Sequence, residues 1–192
     1  MLALPSMKSF TDSTPLALVR HPQSSSQVVR GIDVVVEGAE SGSLNLAFAL
    51  QGELSALRIP EPRVSRRGHE LWQHTCFEAF VRAEEGPGYF EFNLSPSSEW
   101  SAYTFRGYRD GEVLEVEIPP EIVVRRSGER LELDAAIHTD CLPPGHSLLL
   151  GLSAVVEDAD GALSYWALRH PPGKPDFHHT DAFAMQLPGP EC

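Results

Sequence analysis

A period-two alternation of apolar and polar residues is the feature of this chain that most restricts its fold. Leu44, Leu46, Phe48 and Leu50 alternate with Asn45, Ala47, Ala49 and Gln51. Leu131, Leu133, Ala135 and Ile137 alternate with Glu132, Asp134, Ala136 and His138. Phe90, Phe92 and Leu94 alternate with Glu91, Asn93 and Ser95. An extended backbone points successive side chains to opposite faces, so each pattern sets one face against a core and the other toward water or a ligand. Further strands are expected at Leu16–Arg20, Val28–Glu37, Thr75–Ala83, Ile122–Arg126, Leu148–Glu157, Leu163–Leu168 and Ala182–Leu187. Gly- and Pro-containing turns separate them, and Asp158-Ala159-Asp160-Gly161 reads as the turn of a hairpin. No strand–helix–strand rhythm and no sustained helical periodicity occurs. These signs predict an all-β fold: an antiparallel β-sandwich, jelly-roll-like, with about ten or more strands and few short helices.

The 192 residues suit one domain. Residues 1–14 read as a flexible N-terminal tail and 15–192 as a single β-sandwich domain, with Ile59–Gly68 a long, basic, proline-containing loop. Fifteen glycines and sixteen prolines fit many turns and few long helices. Fifteen basic against twenty-seven acidic residues give a formal charge of −12. The longest basic clusters are the pairs Arg66-Arg67 and Arg125-Arg126, so neither nucleic acid nor an anionic membrane surface is expected as a partner. Pro5, Lys8, Asp12 and Pro15 interrupt the N-terminus, which lacks the apolar run of a signal peptide. No apolar run approaches the length needed to span a bilayer. The expected location is the cytoplasm. Cys76, Cys141 and Cys192 form no CxxC pair, which argues against a disulfide framework or a zinc site.

Two apparent motifs fail on geometry. His69-Glu70-Leu71-Trp72-Gln73-His74 resembles a zincin signature, but its histidines are five apart rather than four. Asp158-Ala159-Asp160-Gly161 resembles a calcium loop, but its first and twelfth ligand positions would be Val156 and Ala167. No metal and no cofactor is expected.

Two clusters are richer. On a strand through residues 74–81, His74, Cys76, Glu78 and Phe80 share one face and Thr75, Phe77, Ala79 and Val81 the other. On the next, Tyr89, Glu91 and Asn93 point opposite to Phe90, Phe92 and Leu94. Carboxylates, an amide and aromatic rings on one sheet face can grip a sugar, the rings covering C–H faces and the polar groups holding hydroxyls. The second cluster, Tyr165 to His179, is a loop dense in Trp, His, Lys and Asp.

The segments "LWQHTCFEAFV", "YFEFNLSPSSEWSAYTFRGYR" and "YWALRHPPGKPDFHHTDAF" resemble the DOMON-like superfamily, in particular bacterial proteins related to family-nine carbohydrate-binding modules. The resemblance spans residues 15–188. It implies a β-sandwich with a small-ligand site on one sheet face or rim and a non-catalytic binding role for sugars or, in some branches, haem. The haem branch uses Met and His ligands, and Met185 is the one methionine within the expected sandwich.

The expected function is therefore a small-ligand-binding module for a saccharide or similar polar molecule. The expected site has Trp100, Tyr103 and Trp166 as stacking surfaces, Glu78, Glu91 and Asn93 as hydroxyl acceptors, His74 beside Glu78, and His170 and Lys174 at the rim. Trp166 is placed at the mouth because its strand runs into the His170–His178 loop. One alternative is an acid/base enzyme using His74 and Glu78, with Glu91 completing the set; another is a haem-binding domain.

Overall fold

The computed structural model describes residues 14–24, 27–38, 42–138, 140, 142 and 147–189. Nearly all of the tail expected at 1–14 lies outside them, as do Cys141 and Cys192. The all-β expectation holds. Thirteen strands run among the described residues: β1 Leu16–Arg20, β2 Val29–Glu37, β3 Ser43–Gly52, β4 Arg66–Arg67, β5 Cys76–Ala83, β6 Tyr89–Leu94, β7 Glu99–Gly107, β8 Asp110–Val113, β9 Glu121–Ser127, β10 Arg130–His138, β11 Leu148–Glu157, β12 Leu163–Ala167 and β13 Met185–Leu187. Among the described residues helical structure is limited to single 3₁₀ turns such as Leu71–Gln73 and Thr180–Ala182.

One curled sheet has the order β4-β7-β6-β5-β11-β12-β1-β2-β3-β10-β9, with β13 added to β11 and β8 to β7. The curl passes through β1. Its first residues pair with β2 (Leu16 opposite Val34, Leu18 opposite Ile32), and its last pair with β12 (Val19 opposite Ala167). The two halves of the sheet thereby face each other. Phe48 of β3 meets Phe77 of β5 across the gap with ring centroids 4.9 Å apart. The alternating residues of the sequence supply this core: Leu44, Leu46, Phe48 and Leu50 from β3, Leu131, Leu133, Ala135 and Ile137 from β10.

The sheet is mixed rather than purely antiparallel. The basic loop ends in β4, which runs parallel to β7 with Arg66 opposite Glu99 and Arg67 opposite Trp100. Side chains explain this docking. Arg66 donates to Glu99 at 2.8 Å, and the Arg67 guanidinium lies 4.6 Å from the Trp100 ring centroid while donating to the Leu114 carbonyl.

The strands β5, β6, β7, β11 and β12 turn their second face outward. There Ser153 lies opposite Glu78, Glu91 opposite Tyr103, Tyr89 opposite Phe105, and Tyr165 opposite Val155. The 170–183 segment returns over the edge of this face. It is seated by a second, smaller apolar cluster of Phe80, Tyr89 and Phe183, with Phe105, Leu149 and Phe177 against it. Gly151 makes room for the return: a Cβ there would stand 3.1 Å from the Ala182 carbonyl oxygen.

Candidate functional site

The outward face holds a cleft of about 620 Å³. Glu78, Phe80 and Glu91 form its floor, Trp72, Tyr103, Phe105, Tyr165 and Phe177 its aromatic walls, and Gln73, Arg109 and His178 its remaining polar lining. Strand parity assembles this set. Glu78 and Phe80 leave β5 on the side opposite the core residues Phe77, Ala79 and Val81. The partner positions on β6 and β7 deliver Glu91, Tyr103 and Phe105 to the same side.

The carboxylates on the floor are buried, Glu78 at 2% and Glu91 at 5% exposure. Ser153 donates to Glu78 Oε2 at 3.2 Å, and Glu78 Oε1 has no hydrogen-bond partner in the protein. Burial, and then the neighbouring charge of Glu91, push the Glu78 carboxyl well above the usual carboxylate range. Burial also raises Glu91, to about 7, against the opposing pull of the Asn93 amide and the Arg109 charge. Asn93 is itself fully buried and donates to Glu91 Oε1 at 2.7 Å. Near neutral pH, then, the two carboxyls share the site with at least one proton between them.

His178 arrives from the returning loop. Burial and then the Arg109 charge lower it to about 4, so it is neutral at physiological pH. Arg109 N–H donates to Tyr89 Oη at 3.1 Å, and the same phenol oxygen is hydrogen-bonded to His178 Nδ1 at 2.9 Å. The other ring nitrogen, Nε2, stands 3.7 Å from Glu91 Oε2. Arg109 sits at φ 56° in the β7–β8 turn, a left-handed conformation that costs a side-chain-bearing residue about 1–2 kcal/mol. Its guanidinium pairs with Asp176 at 3.0 Å, and Tyr108 Oη donates to the other Asp176 oxygen at 2.7 Å. The turn and the loop are thus tied together over one side of the cleft.

Of the residues expected from the sequence, Glu78, Glu91 and Tyr103 line the cleft. Asn93 stands behind Glu91, orienting it. Trp100 and Trp166 do not reach the cleft. Both are 5% exposed and belong to the core. Trp100 is separated from Tyr103 by an odd number of positions and so leaves β7 on the other face. Trp166 alternates with the cleft residue Tyr165 and donates its indole N–H to Ser164 at 3.1 Å. The placement of Trp166 at the mouth is corrected: the tryptophan of β12 is a core residue and the tyrosine beside it faces the cleft.

His74 precedes β5 and turns away. It bonds Glu157 at 2.7 Å in a separate shallow depression with Arg58, Ile59 and Pro60. The acid/base set of His74 with Glu78 is therefore not assembled. His170 contacts the Val19 carbonyl and the His21 ring, and Lys174 is an exposed loop residue; neither lines the cleft. Met185 pairs with Leu150 in β11 and packs against the core rather than the cleft, which removes the methionine on which a haem site would depend.

Sequence reasoning missed Trp72, Phe105, Arg109, Tyr165, Phe177 and His178. Trp72 stands 39% exposed on a 3₁₀ turn, its ring 5.8 Å from that of Tyr103 in an edge-to-face arrangement. All six lie within the three segments quoted above for the family resemblance.

No known protein family and no curated protein sequence matches the chain. Solved structures do. A Bacteroides uniformis protein provisionally described as carbohydrate-binding superposes with a TM-score of 0.65 at 14% identity, covering 88% of this chain and 83% of that one. A family-nine carbohydrate-binding module from Caldicellulosiruptor kristjanssonii in complex with glucose matches with a TM-score of 0.58 at 8% identity, covering 100% and 93%. A family-nine module of the same organism in complex with cellotriose gives 0.51 at 10% identity, covering 84% and 75%. At these identities the likeness is one of architecture: the chain has the fold on which family-nine carbohydrate-binding modules are built.

Proposed function

We propose that the protein is a saccharide-binding module and that the cleft over β5, β6, β7, β11 and β12 holds the sugar. The observation that carries this reading is the composition of the cleft. Aromatic walls surround a floor of two buried carboxyls, one of which keeps an oxygen without a partner. Buried polar atoms are nearly always satisfied, so an orphaned carboxyl oxygen on the floor of a cleft of ligand size suits a ligand group that can donate or accept a hydrogen bond. A sugar hydroxyl supplies one, and the rings of Trp72 and Tyr103 offer apolar surface to pyranose C–H faces. Sugar-bound structures among the fold neighbours support the same reading.

Calorimetric titration with glucose, cellotriose and a panel of neutral, acidic and amino sugars tests it. Binding is expected in the micromolar to millimolar range, weakened at least about tenfold by Trp72→Ala with the melting temperature nearly unchanged. Absence of heat across the whole panel would overturn the proposal.

A further inference from the structure

Five other buried or half-buried acidic side chains pair directly with an arginine. Glu99 has Arg66, Glu132 and Asp134 have Arg125, Glu157 has Arg58, and Asp176 has Arg109. The two carboxyls on the cleft floor are different. Among the described residues no arginine or lysine pairs with either; the nearest ring nitrogen, His178 Nε2, is 3.7 Å from Glu91 and belongs to a neutral imidazole. Arg109 acts on Glu91 only at longer range, its guanidinium being engaged by Asp176. The two carboxyls at the bottom of the aromatic-walled cleft thus have no cation in direct contact, since Arg109 at the rim is paired with Asp176.

Resting on the saccharide reading above, we infer that the ligand brings the missing cation: the cleft recognises an amino sugar whose protonated amine sits between Glu78 and Glu91. Glu78 Oε1, buried and unpartnered, is placed to accept the first ammonium hydrogen bond. Aromatic ring faces around the same volume favour a cation over a neutral group. Charge-assisted hydrogen bonds to an ammonium are roughly twice as strong as those a hydroxyl would make at the same oxygens.

Binding is then linked to protons. The floor carboxyls hold at least one proton when the cleft is empty, and a bound ammonium displaces it to solvent. The other groups facing the pair are Cys76 on β5, Ser153 on β11, Tyr89 and Asn93 on β6, Tyr103 on β7, and His178 and Arg109 with its partner Asp176 at the rim. Cys76 and Tyr89 are both raised by burial and His178 is held neutral, so none of these exchanges its proton in place of the carboxyls at pH 7.

The experiment is isothermal titration of the full chain with glucosamine, N-acetylglucosamine, glucose and propylamine. It is run at pH 7 and pH 5, in two buffers of different ionisation enthalpy. Glucosamine should bind about tenfold tighter than glucose or N-acetylglucosamine at pH 7, releasing up to one proton, and should lose most of that advantage at pH 5. Glu78→Gln and Glu91→Gln, each checked for an intact unfolding transition, should bring the affinity for glucosamine down to that for glucose in the same variant, whatever each change does to sugar binding in general. Glucose binding as tightly as glucosamine at pH 7 overturns this inference and leaves the saccharide reading intact. No binding by any of the sugars overturns both. Propylamine binding as tightly as glucosamine overturns the sugar half of the assignment.

Discussion

Glu91 carries a folding cost that varies with pH. Below about pH 4.5 its carboxyl is protonated in folded and unfolded chains alike, and burial costs it little. As pH rises from 4.5 toward 7 the unfolded chain ionises while the folded one, held at about 7, keeps its proton; stability falls across that window and stays lower above it. Glu91→Gln keeps the shape and the oxygen that Asn93 bonds, but removes the titration. The variant should be more stable than the parent at pH 8 by on the order of 3 kcal/mol, and indistinguishable from it at pH 4, in urea unfolding. Equal stability at both pH values would mean that Glu91 is not held protonated. Trp166 lies at the opposite extreme. Buried in the core, it should cost about 3–5 kcal/mol when cut to alanine, where a residue at a cleft rim would cost little. A loss under 1 kcal/mol in the same measurement would return it to the surface.

At the scale of elements, strand parity explains both what could be read from the residues and what could not. In β3 and β10 polar residues occupy one face, so inward and outward sides are evident; the same holds for Glu91 and Asn93 against Phe92 and Leu94 in β6. In β12 each face carries an aromatic ring, Tyr165 on one and Trp166 beside Ser164 on the other, and period two cannot say which meets the core. Trp72 and Arg109 escape for another reason. One sits on a 3₁₀ turn and the other in a hairpin turn, where no periodicity applies. Strand β4 was hidden because two arginines of an exposed loop pair through Glu99 and Trp100, contacts far away in sequence. The β7–β8 turn and the 170–179 loop depend on one carboxylate for their link, since Asp176 holds both Tyr108 and Arg109. Asp176→Ala should therefore raise amide hydrogen exchange across 171–179 and weaken sugar binding several-fold. The melting temperature should shift little, because ion pairs at the surface, as this one is on its Arg109 side, contribute about 0–1 kcal/mol. Unchanged exchange in that segment would show that the Phe177 and Phe183 contacts alone hold the loop.

For the molecule as a whole, β1 is the seam. By pairing with β2 at one end and β12 at the other, it folds a single sheet back on itself, so that one side becomes the core and part of the other is left free to form the cleft. That division also sorts the three tryptophans by environment. Trp100 and Trp166 share the dry interior, and Trp72 alone stands in water at the edge of the cleft. The chain therefore contains its own optical reporter. Its emission should be the sum of a blue, protected component from two indoles and a red component from one, with acrylamide quenching confined to the latter. A sugar seated against Trp72 should shift the red component toward the blue and shield it from quencher, leaving the other component untouched. Saturation with a proven ligand that changes neither colour nor quenching would put that ligand somewhere other than against Trp72.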